Sequence, residues 1–220
     1  MITFELLFIL TMGTTLMCAL IMLQMKWYSI QVWKAFPFAL ALVFTGVMAS
    51  KIWFFIENWS WGGRSLYGAI AFSPLVFLLV AKLLRIKYLE ALDFVAPGGC
   101  LTLALVKIQC LMDHCCEGMV LYIDENRIFV KFPSQTVEMV VFLILSVILV
   151  YMSYKQNFRN KIFPWFLFLY GITRFVLNSF RAELEIYALG MSAGHFWSLI
   201  ALIIGAVWLI LIAKKKEQKT

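Results

Sequence analysis

Seven apolar stretches of about twenty residues, separated by short polar gaps, constrain this chain more than any other feature: 3–25, 35–56, 66–84, 91–112, 136–154, 162–180 and 191–213. A hydrocarbon layer about 30 Å thick takes roughly 20 helical residues to cross. No water is present there to satisfy backbone groups, so a spanning segment must be a helix or a strand of a closed barrel. Barrel strands read as about ten residues of alternating polarity, whereas these runs are continuous. The expected fold is therefore all-α: a polytopic membrane protein of about seven transmembrane helices. It is one integral domain over 1–220, with no stretch left for a soluble one. The composition agrees, at 63% hydrophobic and 14% charged, against roughly 45–50% and 25% for soluble domains. The first run exceeds a signal-peptide core and has neither a basic leader nor a small-residue cleavage pattern, so it is expected to stay as an anchor.

The net charge of +7 raises nucleic acid as a partner, but its distribution argues against that. Lys26 and Lys34, then Lys82, Arg85 and Lys87, then Lys155, Arg159 and Lys161, then the lysines of the tail, fall in alternate gaps and hold 12 of the 19 Lys and Arg residues. The other gaps hold only Arg64, Arg127, Lys131 and Arg181. Cytoplasmic loops carry the excess of Lys and Arg. This places the N-terminus outside and the C-terminus in the cytoplasm.

Three cations lie inside apolar runs: Lys51, Lys107 and Arg174. A basic side chain at membrane depth costs about 2.5–3.5 kcal/mol even on lenient insertion scales, and is rare unless paired or functional. In the derived topology all three fall roughly 8–10 Å below the outer end of an outward-running helix, at 1.5 Å per residue. Either each snorkels independently to the interface, or they line one electropositive pocket; matching depth favours the pocket. Arg174, with its planar fork, suits bidentate phosphate contact. Glu138, about one turn inside the fifth run, could pair with one of these cations, because an unpaired carboxylate there would be costly.

The outer loops add further candidates. Gly62-Gly63-Arg64-Ser65-Leu66-Tyr67-Gly68 opens the third run and supplies a guanidinium and two hydroxyls at a helix start, where free N–H groups favour anions; it could equally be a plain glycine turn. Asp93, before Pro97-Gly98-Gly99, reads as a cap at the start of the fourth helix. Cys110, His114, Cys115 and Cys116 crowd the end of that run. Zinc sites usually use two separated ligand pairs, so no metal is expected; a local Cys110–Cys115 disulfide, buried thiols or a nucleophilic Cys116 beside His114 remain open.

Taken in order, these segments form a pattern: G-G-R-S-L-Y-G, D-x-x-A-P-G, K-x-x-C-x-x-x-C-C-x-G, P-S-Q-x-x-E, R-F-x-x-N-x-x-R and G-M-S-A-G-H-x-x-S. The pattern resembles the prolipoprotein diacylglyceryl transferase family from about Gly46 to Ser198. The resemblance implies a seven-span enzyme of the bacterial inner membrane that moves a diacylglyceryl group from phosphatidylglycerol to the lipobox cysteine of a lipoprotein precursor. It implies no cofactor, and we expect a monomer. The catalytic candidates are Arg174, Tyr67, His114 and Glu138. Lys107, Lys51, Arg64 and Arg181 are the candidates for lipid phosphate, with Gly63, Ser65, Gln135, Asn178 and His195 in support.

Several positions depart from the family pattern. Lys107 stands for an arginine, Cys110 for an asparagine and Cys115 for a glutamate. Tyr67 and Phe132 replace the two usual histidines, and Asn178 replaces a glutamate. Tyr67, with an ordinary pKa near 10, suits a proton relay better than a base. A non-catalytic protein that binds anionic lipid on the same scaffold is the alternative these losses raise.

Overall fold

A computed structural model describes residues 4–61, 66–112, 117–123, 129–182 and 186–217. Each expected run is helical: α1 Phe4–Trp27, α2 Ala35–Asn58, α3 Leu66–Leu83, α4 Tyr88–Met112, α5 Ser134–Tyr154, α6 Ile162–Asn178 and α7 Ala193–Glu217. Among the described residues, three stretches are long and apolar enough to cross a membrane: Tyr88–Met112, Ser134–Tyr154 and Ala193–Lys215. Helix α6 is apolar but only 17 residues long. The sequence did not foretell two small antiparallel ribbons. One pairs β1 (Val120–Ile123) with β2 (Phe129–Lys131), and the other pairs β3 (Ile186–Ala188) with β4 (Met191–Ser192).

Close helix approach rests on small residues. Ala96, Cys100 and Ala104 recur every fourth position on α4, all buried. They face a cluster that includes Phe142, Leu145 and Leu149 of α5. In a lipid setting helices gain little from excluding water, so packing through such small-residue faces matters more. Between α6 and α7 the approach is tighter. A methyl on Gly171 would lie 2.6 Å from the Leu202 backbone nitrogen, and one on Gly205 would lie 2.6 Å from that of Phe168. The outward faces of α5 and α7 stay apolar and open, as at Val147 and Leu211.

Asp93 corrects an expectation. Helix α4 already begins at Tyr88, so Asp93 sits inside it rather than capping its start. Its carboxylate instead accepts the backbone N–H groups of Ile162 and Phe163 at 3.0 and 3.1 Å, and that of Asn160 at 2.5 Å. A buried side chain of α4 thus satisfies donors that the start of α6 leaves unpaired. Pro97 lies four residues on and cannot donate to the Asp93 carbonyl. That carbonyl accepts from Gln24 Nε2 of α1 at 3.2 Å, and the same nitrogen donates to Ser153 Oγ of α5 at 2.8 Å. The proline's missing hydrogen bond is replaced by a tie joining α1, α4 and α5.

Candidate active site

Glu138, fully buried in the first turns of α5, is the centre of the site. Lys107 of α4 places its Nζ 2.5 Å from Oε2. Arg174 of α6 donates from Nη1 to the same oxygen at 2.6 Å. Arg181, just beyond α6, donates from Nε to Oε1 at 3.1 Å. Three cations therefore meet one carboxylate, and these four side chains carry a formal charge of +2. Lys107 and Arg174 are 8% and 7% exposed, so solvent screens them weakly and interactions in this group are stronger than at a surface.

Backbone pairing sets the position of Arg181. The segment after α4 runs beside the segment after α6. Gly118 bridges Arg181, the N–H of Met119 donates to the Phe180 carbonyl at 2.9 Å, and that of Ala182 donates to Glu117 at 3.1 Å. Phe132 stacks on Phe180 with ring centroids 4.8 Å apart. Glu117 pairs with Lys131 of β2. An aromatic plate and a neutralised ion pair thus border the cationic group.

Two of the three buried cations expected to converge do so. Lys51 does not: it is only partly buried and has no ion pair with a described residue. It stands on α2, which packs chiefly on α1 and α3. Arg181, rather than Lys51, takes the third place around Glu138. The anion that gathers them is a carboxylate of the chain itself.

Asn178 and His195 form a second polar group, beside the first. Asn178 lies one turn after Arg174 on α6 and is 2% exposed. Its amide donates to Ser192 Oγ at 2.7 Å and lies 3.1 Å from His195 Nδ1. Ser192 Oγ is 3.0 Å from the same ring nitrogen, and Ser179 Oγ is 3.1 Å from Nε2. With the amide in this orientation Nδ1 accepts, so the ring proton sits on Nε2 and is donated to Ser179. Neither Ser179 nor Ser192 was picked out in the sequence. Ser192 has a legible signal, since a serine just before a helix is a typical cap, and its Oγ does face the His195 N–H at 3.4 Å. Ser179 has none.

Gln135 is partly buried in the first turn of α5, and Tyr67 lies in the first turn of α3. Gly63, Arg64, Ser65 and His114 lie outside the described residues, as do Cys115 and Cys116.

Comparison with known proteins gives the group a context. A family model for prolipoprotein diacylglyceryl transferase matches residues 6–211. The chain is similar to phosphatidylglycerol--prolipoprotein diacylglyceryl transferase 2 of Clostridium perfringens, at 25% identity over 84% of this chain and 81% of that protein. It is similar to the phosphatidylglycerol--prolipoprotein diacylglyceryl transferase of Teredinibacter turnerae, at 29% identity over 74% of this chain and 60% of the relative. The enzyme of the same name from Streptococcus uberis is 22% identical over 83% and 77%.

Proposed function

The chain belongs to the prolipoprotein diacylglyceryl transferase family, and on that footing we propose that it transfers a diacylglyceryl group from phosphatidylglycerol to the cysteine thiol of a lipoprotein precursor. In this reaction the thiol sulfur bonds to the terminal glyceryl carbon. The bond from that carbon to the phosphate oxygen breaks, glycerol phosphate leaves with the electron pair, and the thiol proton passes to a base.

The observation that carries this reading is the set of three cations around Glu138. Negative charge builds on the phosphate oxygen as the carbon–oxygen bond breaks, and fixed cations in a water-poor site stabilise such charge most. Arg174 is the residue suited to two-point phosphate contact. Lys107 and Arg181 add charge from the neighbouring helix and loop. Glu138 holds the three in place when no phosphate is bound, and exchanges part of their attention when one arrives. Arg64, which precedes α3 in the sequence, would meet the same headgroup, with Gly63 and Ser65 in support. Lys51 would act at the rim. Tyr67 and His114 are the proton-handling groups in this scheme, while Gln135, Asn178 and His195 position their neighbours.

In the same scheme the protein is a monomer of one domain, passing seven times through the bacterial inner membrane. Its N-terminus is outside and its C-terminus cytoplasmic. The alternation of basic gaps supports that topology, and it would put the Glu138 group toward the outer leaflet, where the lipobox peptide of a precursor would approach.

Expression in cells depleted of their own diacylglyceryl transferase tests the activity. Restored lipid modification of precursors, lost in Arg174→Ala, is the expected result. Good membrane expression with no modified precursor would overturn it in favour of a lipid-binding role.

A further inference from the structure

The opposite end of the bundle carries a second concentration of positive charge that the transfer reaction does not use. A cavity of about 330 Å³ opens there, walled by Lys34, Arg85, Lys87 and Arg159 against one carboxylate, Glu90. Arg159 is fixed in place. Its Nε and Nη2 donate to Glu90 Oε1 at 3.2 and 2.7 Å, and its guanidinium lies 4.6 Å from the Tyr28 ring centroid. Once Glu90 is counted, the walls keep a formal +3. Helix α4 begins at this wall, and the backbone N–H groups of Leu89 and Glu90 have no acceptor among the described residues. The positive end of the helix therefore adds to the side chains.

A second cavity, of about 250 Å³, lies between α1 and α2 and is mainly apolar. Thr14, Cys18, Ala19 and Met22 line one side, and Phe36 and Leu40 line the other. Phe36 follows Lys34 by two residues, so the groove begins close to where the basic cavity ends. From Met22 to Thr14 it runs along α1 for about 12 Å, at 1.5 Å per residue. Trp33, next to Lys34 in the chain, and Phe36, on the groove wall, are each 63% exposed, and a tryptophan of this kind favours the headgroup level of a bilayer.

We propose that this end of the protein binds an anionic phospholipid of the leaflet it faces, with the phosphate in the basic cavity and one acyl chain in the α1–α2 groove. This site is separate from the Glu138 group: Glu90 and Lys107 lie on α4 about 25 Å apart along the helix axis. A free phosphate would use the basic cavity alone and leave the apolar groove without a purpose. A lipid uses both. The inference does not depend on the transferase activity.

Native mass spectrometry of the full chain in detergent, titrated with phosphatidylglycerol, phosphatidylcholine or inorganic phosphate, tests it. The triple variant Lys34→Gln, Arg85→Gln, Lys87→Gln removes charge. Ala19→Trp, at an exposed position, fills the groove without changing charge. The expected result is one phosphatidylglycerol retained by the wild type that both variants bind at least tenfold more weakly, and at least tenfold preference over phosphatidylcholine. Equal retention of phosphatidylglycerol by all three proteins, or of the two lipids by the wild type, would overturn the proposal. Inorganic phosphate bound through the three cations, with Ala19→Trp leaving lipid retention unchanged, would overturn the lipid and leave a free-phosphate site.

Discussion

Arg174 donates to Glu138 at 2.6 Å with both residues buried, which converts the most expensive feature of the sequence into a structural joint between α5 and α6. Lys107 grips the same oxygen from α4, so one carboxylate fastens three helices. A buried pair of this kind adds little net stability over a well-packed apolar replacement, but it is costly to break. Its persistence in a chain this apolar is therefore better explained by what the excess positive charge can do.

Removing Glu138 should test the joint directly. Glu138→Gln leaves three cations without their counter-charge, and breaking a buried pair costs about 3–5 kcal/mol. The expected outcome is a clear fall in thermal midpoint in detergent. Glu138→Gln combined with Arg174→Met should be less unstable than the two single losses summed, because the residues share one interaction. Strict additivity would show that the two do not depend on one another.

Arg174 and Lys107 should differ in what their replacement does to transfer. We expect Arg174→Ala to lower kcat/KM at least a hundredfold, about 2.7 kcal/mol, and Arg174→Lys to lose less, since charge survives but the fork does not. Lys107→Arg keeps the charge and adds a planar fork, and should keep or raise activity. A precursor-modification assay in membranes with added phosphatidylglycerol measures all three.

Much of the fold was legible because a bilayer permits few solutions: the apolar runs predicted the helices to within a few residues. Lys107, Arg174 and Glu138 were legible for the same reason, as ionisable groups where the solvent would reject them. Burial alone could not say which cations share a depth and a side of the bundle. Lys51 has the same sequence character as Lys107, yet it stands on α2, whose main neighbours are α1 and α3, and Glu138 is paired with Lys107, Arg174 and Arg181 instead. Arg181 reaches Glu138 through backbone pairing between two loops, a long-range register with no local signature. Asp93 misled for a related reason. Its position before a Pro-Gly pair looked like a helix start, while its partners are the N–H groups of another helix.

Asp93 should be a stability residue, not a catalytic one. Asp93→Ala strands the backbone donors of Asn160, Ile162 and Phe163, and each buried unsatisfied group costs about 1–3 kcal/mol. A large loss of folded protein is expected, with Asp93→Asn partly rescuing it, because an amide oxygen still accepts. Fluorescence-detected size exclusion after a heating series would rank the two. An Asp93→Ala protein as stable as the wild type would show that the α6 start is held some other way.

His195 offers a sharper discrimination. His195 Nδ1 lies 3.1 Å from the Asn178 amide and Nε2 lies 3.1 Å from Ser179 Oγ, so the ring makes hydrogen bonds on both sides, and a glutamine amide can also donate to Ser179. We therefore expect His195→Gln to retain most of the transfer activity and His195→Leu to lose at least tenfold. Asn178→Asp replaces the amide donor with an acceptor, which would pull the ring proton to Nδ1 and expose a lone pair at Nε2. That variant should also lose at least tenfold, because Nε2 would no longer donate to Ser179. Equal loss in His195→Gln and His195→Leu would mean that the imidazole itself, and with it proton exchange, is what the reaction uses.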